Sequence, residues 1–167
     1  MATLKIAYGT YTAMTVTDLQ SLASSATAGW QSDNVSNTTT LALDYEIFIS
    51  LTTANTAPAN DRCVYVYISP AINTTGTTFL HADQGTTTLP TGAEGTSTIV
   101  AGGGNLKQLG SLAYTTQQMT MQASFNLSNA VGNSMPDGFS IILVNYTGAA
   151  LATGCVVAYR AITATSA

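Results

Sequence analysis

Charge is what this sequence has least of. Four basic and eight acidic side chains make up 7% of its 167 residues, where about a quarter is usual. Four cations cannot build a phosphate-neutralising surface, so nucleic acid is not an expected partner. One His and two Cys leave little material for acid–base or metal chemistry. The expectation is therefore a non-enzyme with no catalytic residues, no cofactor and no metal. No apolar run approaches the roughly 18 residues a membrane-spanning helix needs, so no membrane partner is expected either. The opening MATLKIAYGTYTAM lacks the charged-then-apolar layout of a secretory signal. Synthesis in a reducing cytoplasm is expected, which favours two free thiols at Cys63 and Cys155 over a bridge. The N-x-[ST] triplets at Asn34, Asn37, Asn73, Asn126 and Asn145 then follow from composition alone.

Threonine fills the gap that charge leaves, with 29 residues, and 46% of the chain is apolar. That balance is the reverse of a disordered chain's. The length is one domain's worth, residues 1–167, able to bury roughly 70% of its unfolded surface. Thr, Val, Ile, Tyr and Phe suit a pleated, half-buried surface. Short strands are predicted over 2–8, 10–17, 41–51, 62–69, 106–114, 117–125, 139–146 and 155–163. Along 41–51, Leu41, Leu43, Tyr45, Ile47, Ile49 and Leu51 form one apolar face by period-two alternation. Strand 62–69 is expected to stop at Pro70, as a central strand should. Thr17-Asp18-Leu19-Gln20 matches a capping box and predicts one short helix over 18–24. Residues 71–104 read as a Gly/Thr-rich excursion with short strands near 77–81 and 96–101. Many short strands between turn signals predict an all-β, antiparallel, jelly-roll-like sandwich with at most one short helix.

Each candidate for chemistry has a plainer explanation beside it. His81, with Asp83 two residues on, lacks the further ligands a metal site needs. Asp44 and Glu46 share a strand face, as glycosidase carboxylates can, but cross-strand pairing with Arg62 or Arg160 is simpler. Asp33, Asp44 and Asp61 suit calcium by chemistry yet lack EF-hand spacing. Gly102-Gly103-Gly104 lacks the Lys and Ser/Thr of a phosphate loop and reads as a flexible connection. Trp30 with loop tyrosines could stack a sugar, although such aromatics are more often core or interface anchors. The uncharged row Gln118, Thr120, Gln122 and Ser124 alternates with Met119, Met121, Ala123 and Phe125 and should meet water or a partner.

Three blocks carry a resemblance. They are Gly29-Trp30-Gln31-Ser32 through Asn37 to Leu43-Asp44-Tyr45; Pro58-Ala59-Asn60-Asp61 into Val64-Tyr65-Val66-Tyr67; and Phe139 to Asn145, then Thr147-Gly148-Ala149-Ala150-Leu151 and Tyr159-Arg160. In that order they resemble small β-sandwich virion structural proteins of tailed bacteriophages. The resemblance implies a capsid decoration (cement) protein on the capsid surface of the virion, made in the host cytoplasm. Its implied partners are the major capsid protein and other copies of itself, as a trimer or dimer. The alternative it leaves open is a head-fibre or tail-associated receptor- or glycan-binding module that uses Trp30. Gln118, Thr120, Gln122 and Ser124, together with the 71–104 excursion, are the expected shell contacts.

Overall fold

Alternation along one strand fixes the layering. A computed structural model of the chain describes residues 3–59, 61–74, 79–81, 92–98, 106–132 and 134–166. In it, strand β5 (Asp44–Thr52) buries Tyr45, Ile47, Ile49 and Leu51 and turns Glu46, Phe48 and Ser50 outward. Each such core side chain contributes about 1.5–3 kcal/mol by leaving water.

The other strands are β1 (Leu4–Tyr8), β2 (Thr12–Ala13), β3 (Ala28–Gln31), β4 (Val35–Ser36), β6 (Cys63–Asn73) and β7 (Phe79–His81). They continue with β8 (Gly95–Thr98), β9 (Lys107–Ala113), β10 (Thr120–Asn126), β11 (Gly138–Tyr146) and β12 (Val156–Ser166). A five-stranded sheet runs β1-β12-β5-β10, with β2 also on β12. A seven-stranded sheet runs β7-β6-β11-β3-β8, with β4 on β11 and β9 on β6. All pairings are antiparallel. The chain passes between sheets at β4–β5–β6 and again at β9–β10–β11–β12, the winding expected of a jelly-roll-like sandwich. Trp30, Tyr45, Ile47, Val66, Ile68, Phe139, Ile141, Leu143 and Val157 fill the space between. β11, apolar on both faces, is central as its sequence predicts.

Several boundaries differ from the sequence expectation, each for a local reason. No helix forms over 18–24: Ser21 has φ +64°, and the Gln20 amide is engaged elsewhere. Its Nε2 donates to the Cys155 carbonyl at 3.0 Å and its Oε1 accepts the Cys155 N–H at 3.1 Å. The segment is a turn tied to the start of β12 instead. The one helix among the described residues, α1 (Ser128–Val131), lies where no cap signal was visible. Its Ser128 N–H donates to Asp44 Oδ1 at 2.9 Å, a cap brought from far along the chain.

Leu41 and Leu43 do not belong to β5. They are 73% and 54% exposed, because Asn37 closes the loop that leads into β5 and turns them outward. Its Oδ1 accepts the Ala42 N–H at 2.7 Å and the Tyr45 hydroxyl at 3.0 Å. The predicted 10–17 strand shrinks to two residues, which follow β1 along the same edge of β12 after an interruption at Gly9. β6 runs through Pro70 rather than stopping there. On that flank β9 has ended opposite Ile68 and β7 begins opposite Ala71, so Pro70 falls in a gap between neighbours. Most of the 71–104 excursion, with Asp83 and Gly102-Gly103-Gly104, lies outside the described residues, as does Asn60.

Candidate functional site

Two sheets give two outer faces, and the five-stranded one is the more open. β10 pairs only with β5 among the described strands, so it forms one edge of that sheet. Met121, Ala123 and Phe125 pack inward, which turns Thr120, Gln122 and Ser124 to solvent. The row is bonded to the neighbouring strand: the Thr120 hydroxyl meets that of Thr52 on β5 at 2.7 Å, and Gln122 Nε2 donates to Ser50 Oγ at 3.3 Å. Gln118 is exposed too but stands off the strand. Its φ of +53° places it in the preceding turn, with its N–H on the Ala54 carbonyl. No residue of β10 is charged, whereas exposed edges usually carry a charge to deter pairing.

Across β5 and β12 the same face changes character. Glu46 and Arg160 are directly opposed in register and form the cross-strand ion pair, with Arg160 Nε donating to Glu46 Oε2 at 2.6 Å. The rings of Tyr8 and Tyr11 lie 4.9 and 4.7 Å from the guanidinium carbon, within cation–π range. Tyr11 in turn meets Phe48 edge-on at 6.1 Å. Beyond them Leu4, Ile6 and Tyr8 stand in a row on β1, 71%, 55% and 62% exposed.

Among the described residues Asp44 joins no ion pair. It accepts from Asn126 Nδ2 at 2.9 Å and from the Ser128 hydroxyl at 2.7 Å, besides the Ser128 and Tyr45 N–H groups. Burial alone would raise its pKa, but these donors outweigh it and hold the carboxyl below its ordinary value. Asp33 Oδ1 accepts the Glu94 N–H, and Asp61 Oδ2 accepts the Tyr65 hydroxyl. That second bond, with Tyr65 partly buried, pushes the phenol up to about 12. The three aspartates proposed for calcium thus serve three separate places. Among the described residues no group of three or more His, Cys, Asp or Glu is placed to hold a metal. Cys63, on β6, and Cys155, just before β12, are free thiols, and burial pushes the Cys155 thiol up.

Trp30 is not a surface platform. It is fully buried on β3, and its Nε1 donates to Glu94 Oε1 at 2.7 Å, so neither ring face is offered to a sugar. A strand whose inward position falls on the only large aromatic places that aromatic in the core. On the other outer face, His81 is buried beside Ala71 and Gly138, with Ser69 and Ser140 opposed one step along. Neither ring nitrogen of His81, nor either serine hydroxyl, has a hydrogen-bond partner among the described residues. Burial holds the imidazole pKa below its ordinary value.

The apolar row Leu4, Ile6 and Tyr8, and the Tyr8–Arg160–Tyr11 stack, were not singled out from sequence. The alternation of β1 was visible; that no described residue covers the face it points to was not. No protein-family model and no curated protein sequence matches this chain.

Proposed function

We propose that this chain is a non-enzymatic virion structural protein of a tailed phage, a capsid decoration (cement) protein that binds across subunits of the major capsid protein. The observation that carries the reading is the β10 edge: uncharged, exposed and with its polar side chains already hydrogen-bonded back to β5 through Thr120–Thr52 and Gln122–Ser50. Neutral hydroxyls and amides cost far less to bury than charges, so such a face suits a large static contact. The free N–H and C=O groups of the same edge can extend a neighbouring sheet. Preference for the assembled lattice over free subunits would stabilise the shell by mass action. The resemblance of three sequence blocks to small virion proteins supplies the identity of the partner.

The test is attachment to particles. Quantitative mass spectrometry of gradient-purified particles from the source virus is expected to give a copy number comparable to that of the major capsid protein. Purified Gln118→Lys/Gln122→Lys protein is expected to decorate stripped particles poorly while keeping its fold. A copy number in the range of neck or tail proteins, or unchanged decoration by the double variant, overturns the assignment.

A further inference from the structure

We propose that two copies of this chain associate about a two-fold axis through the β1 end of the five-stranded sheet, outer face against outer face. The inference does not rest on the virion reading, which uses the opposite edge of that sheet. β12 pairs with β5 only from Val156 to Ile162, so Thr163–Ser166 have β1 as their one strand neighbour among the described residues. The resulting ribbon carries Leu4, Ile6 and Tyr8 on one side and Lys5, Thr163 and Thr165 on the other. A strand that alternates apolar and polar residues has a face meant for burial, and here that face meets solvent.

The size of the patch selects the occupant. With Tyr11 at 44% exposed and Leu4, Ile6 and Tyr8 at 71%, 55% and 62%, it offers on the order of 500 Å² per copy, in the upper half of the roughly 300–600 Å² range for the largest patch on a monomer. Paired with itself it removes about 1,000 Å², the threshold for a specific interface. A two-fold contact needs only one self-complementary surface. Charge permits it: each copy carries a net −4, yet the charges at this end of the face are the Arg160–Glu46 pair, neutralised internally, and Asp44, whose carboxylate is held by hydrogen bonds from Asn126, Ser128 and Tyr45. Lys5 projects to the far side of the ribbon, where it also guards the free edge of β1 against strand addition. Face packing is therefore favoured over edge-to-edge pairing.

Sedimentation velocity across a concentration series tests this on the full chain. The wild type is expected to reach twice the 17.2 kDa mass of one chain, and Leu4→Lys and Ile6→Lys are each expected to remain at the single-chain mass. Thr165→Lys, on the opposite side of the same ribbon, is expected to pair as the wild type does. Circular dichroism and melting of each variant establish that it is folded. A wild type that stays single at every concentration, a pair that survives Leu4→Lys/Ile6→Lys, or a pair abolished equally by Thr165→Lys overturns the proposal. Particle decoration, scored separately on the Ile6→Lys protein, reports on the virion reading alone.

Discussion

Glu46 and Arg160 face each other across the β5–β12 ladder, and the guanidinium they share with Tyr8 and Tyr11 ties β1 to the middle of its sheet. The two rings sit 4.9 and 4.7 Å from the guanidinium carbon. A planar guanidinium stacks and forks in a way an ammonium cannot. Arg160→Lys is therefore expected to cost about 1 kcal/mol. Calorimetry should register that as a fall of about 2–4 °C in Tm.

Asp44 links β5 to α1 through four accepted hydrogen bonds. Its folded pKa lies below the unfolded value of 3.8, so its contribution is present above that value and is lost as pH falls through the folded pKa. Asp44→Asn is expected to cost about 1 kcal/mol at neutral pH, as cap losses do, and to flatten the acid limb of a stability–pH curve. An acid limb identical to the wild type's would contradict this.

His81 loses stability in the same direction, but in a higher pH window. Its folded pKa lies below the ordinary 6.5 because burial disfavours the imidazolium. Below the unfolded pKa the unfolded chain takes up a proton that the folded chain refuses, so stability falls as pH drops from about 6.5 toward the folded pKa. His81→Phe is expected to weaken the fall in Tm between pH 7 and 5, measured in parallel melts.

Gly110 on β9 faces Phe125 of the other sheet so closely that an added Cβ would overlap the ring. Gly110→Ala is expected to cost about 1–3 kcal/mol through overpacking. Gly110→Ala/Phe125→Leu should recover part of the loss, because the second change opens the space that the methyl needs. Chemical denaturation of the single and double variants measures both effects.

Trp30→Ala is expected to lower stability by about 3–5 kcal/mol, the scale of an emptied aromatic core site. A glycan-binding role for this ring would instead show as lost sugar binding with a near-native denaturation midpoint.

Local pattern made the sheet interiors legible. Strand β11 was readable because both faces are apolar, and the inner row of β5 because Tyr45, Ile47, Ile49 and Leu51 alternate strictly. What stayed hidden depends on groups distant in sequence. The loop that removes Leu41 and Leu43 from β5 is set by one Asn37 side chain. The capping box at Thr17 fails because Gln20 finds Cys155 across the fold. Likewise Thr120, Gln122 and Ser124 were readable as an exposed row from β10 alone, whereas burial of Trp30 depends on β3 lying between β11 and β8.

The position of β12 between β1 and β5 also sets the order of events on the ribosome. Neither the first strand nor β5 acquires that neighbour until residues 156–166 have left the exit tunnel. Strands distant in sequence must then find each other, a slow class of folding reaction. Chains interrupted before Val156 would leave the β12-facing edge of β5 unpaired and the core without Val157, Tyr159 and Ala161, a substrate for chaperones and proteases rather than for assembly.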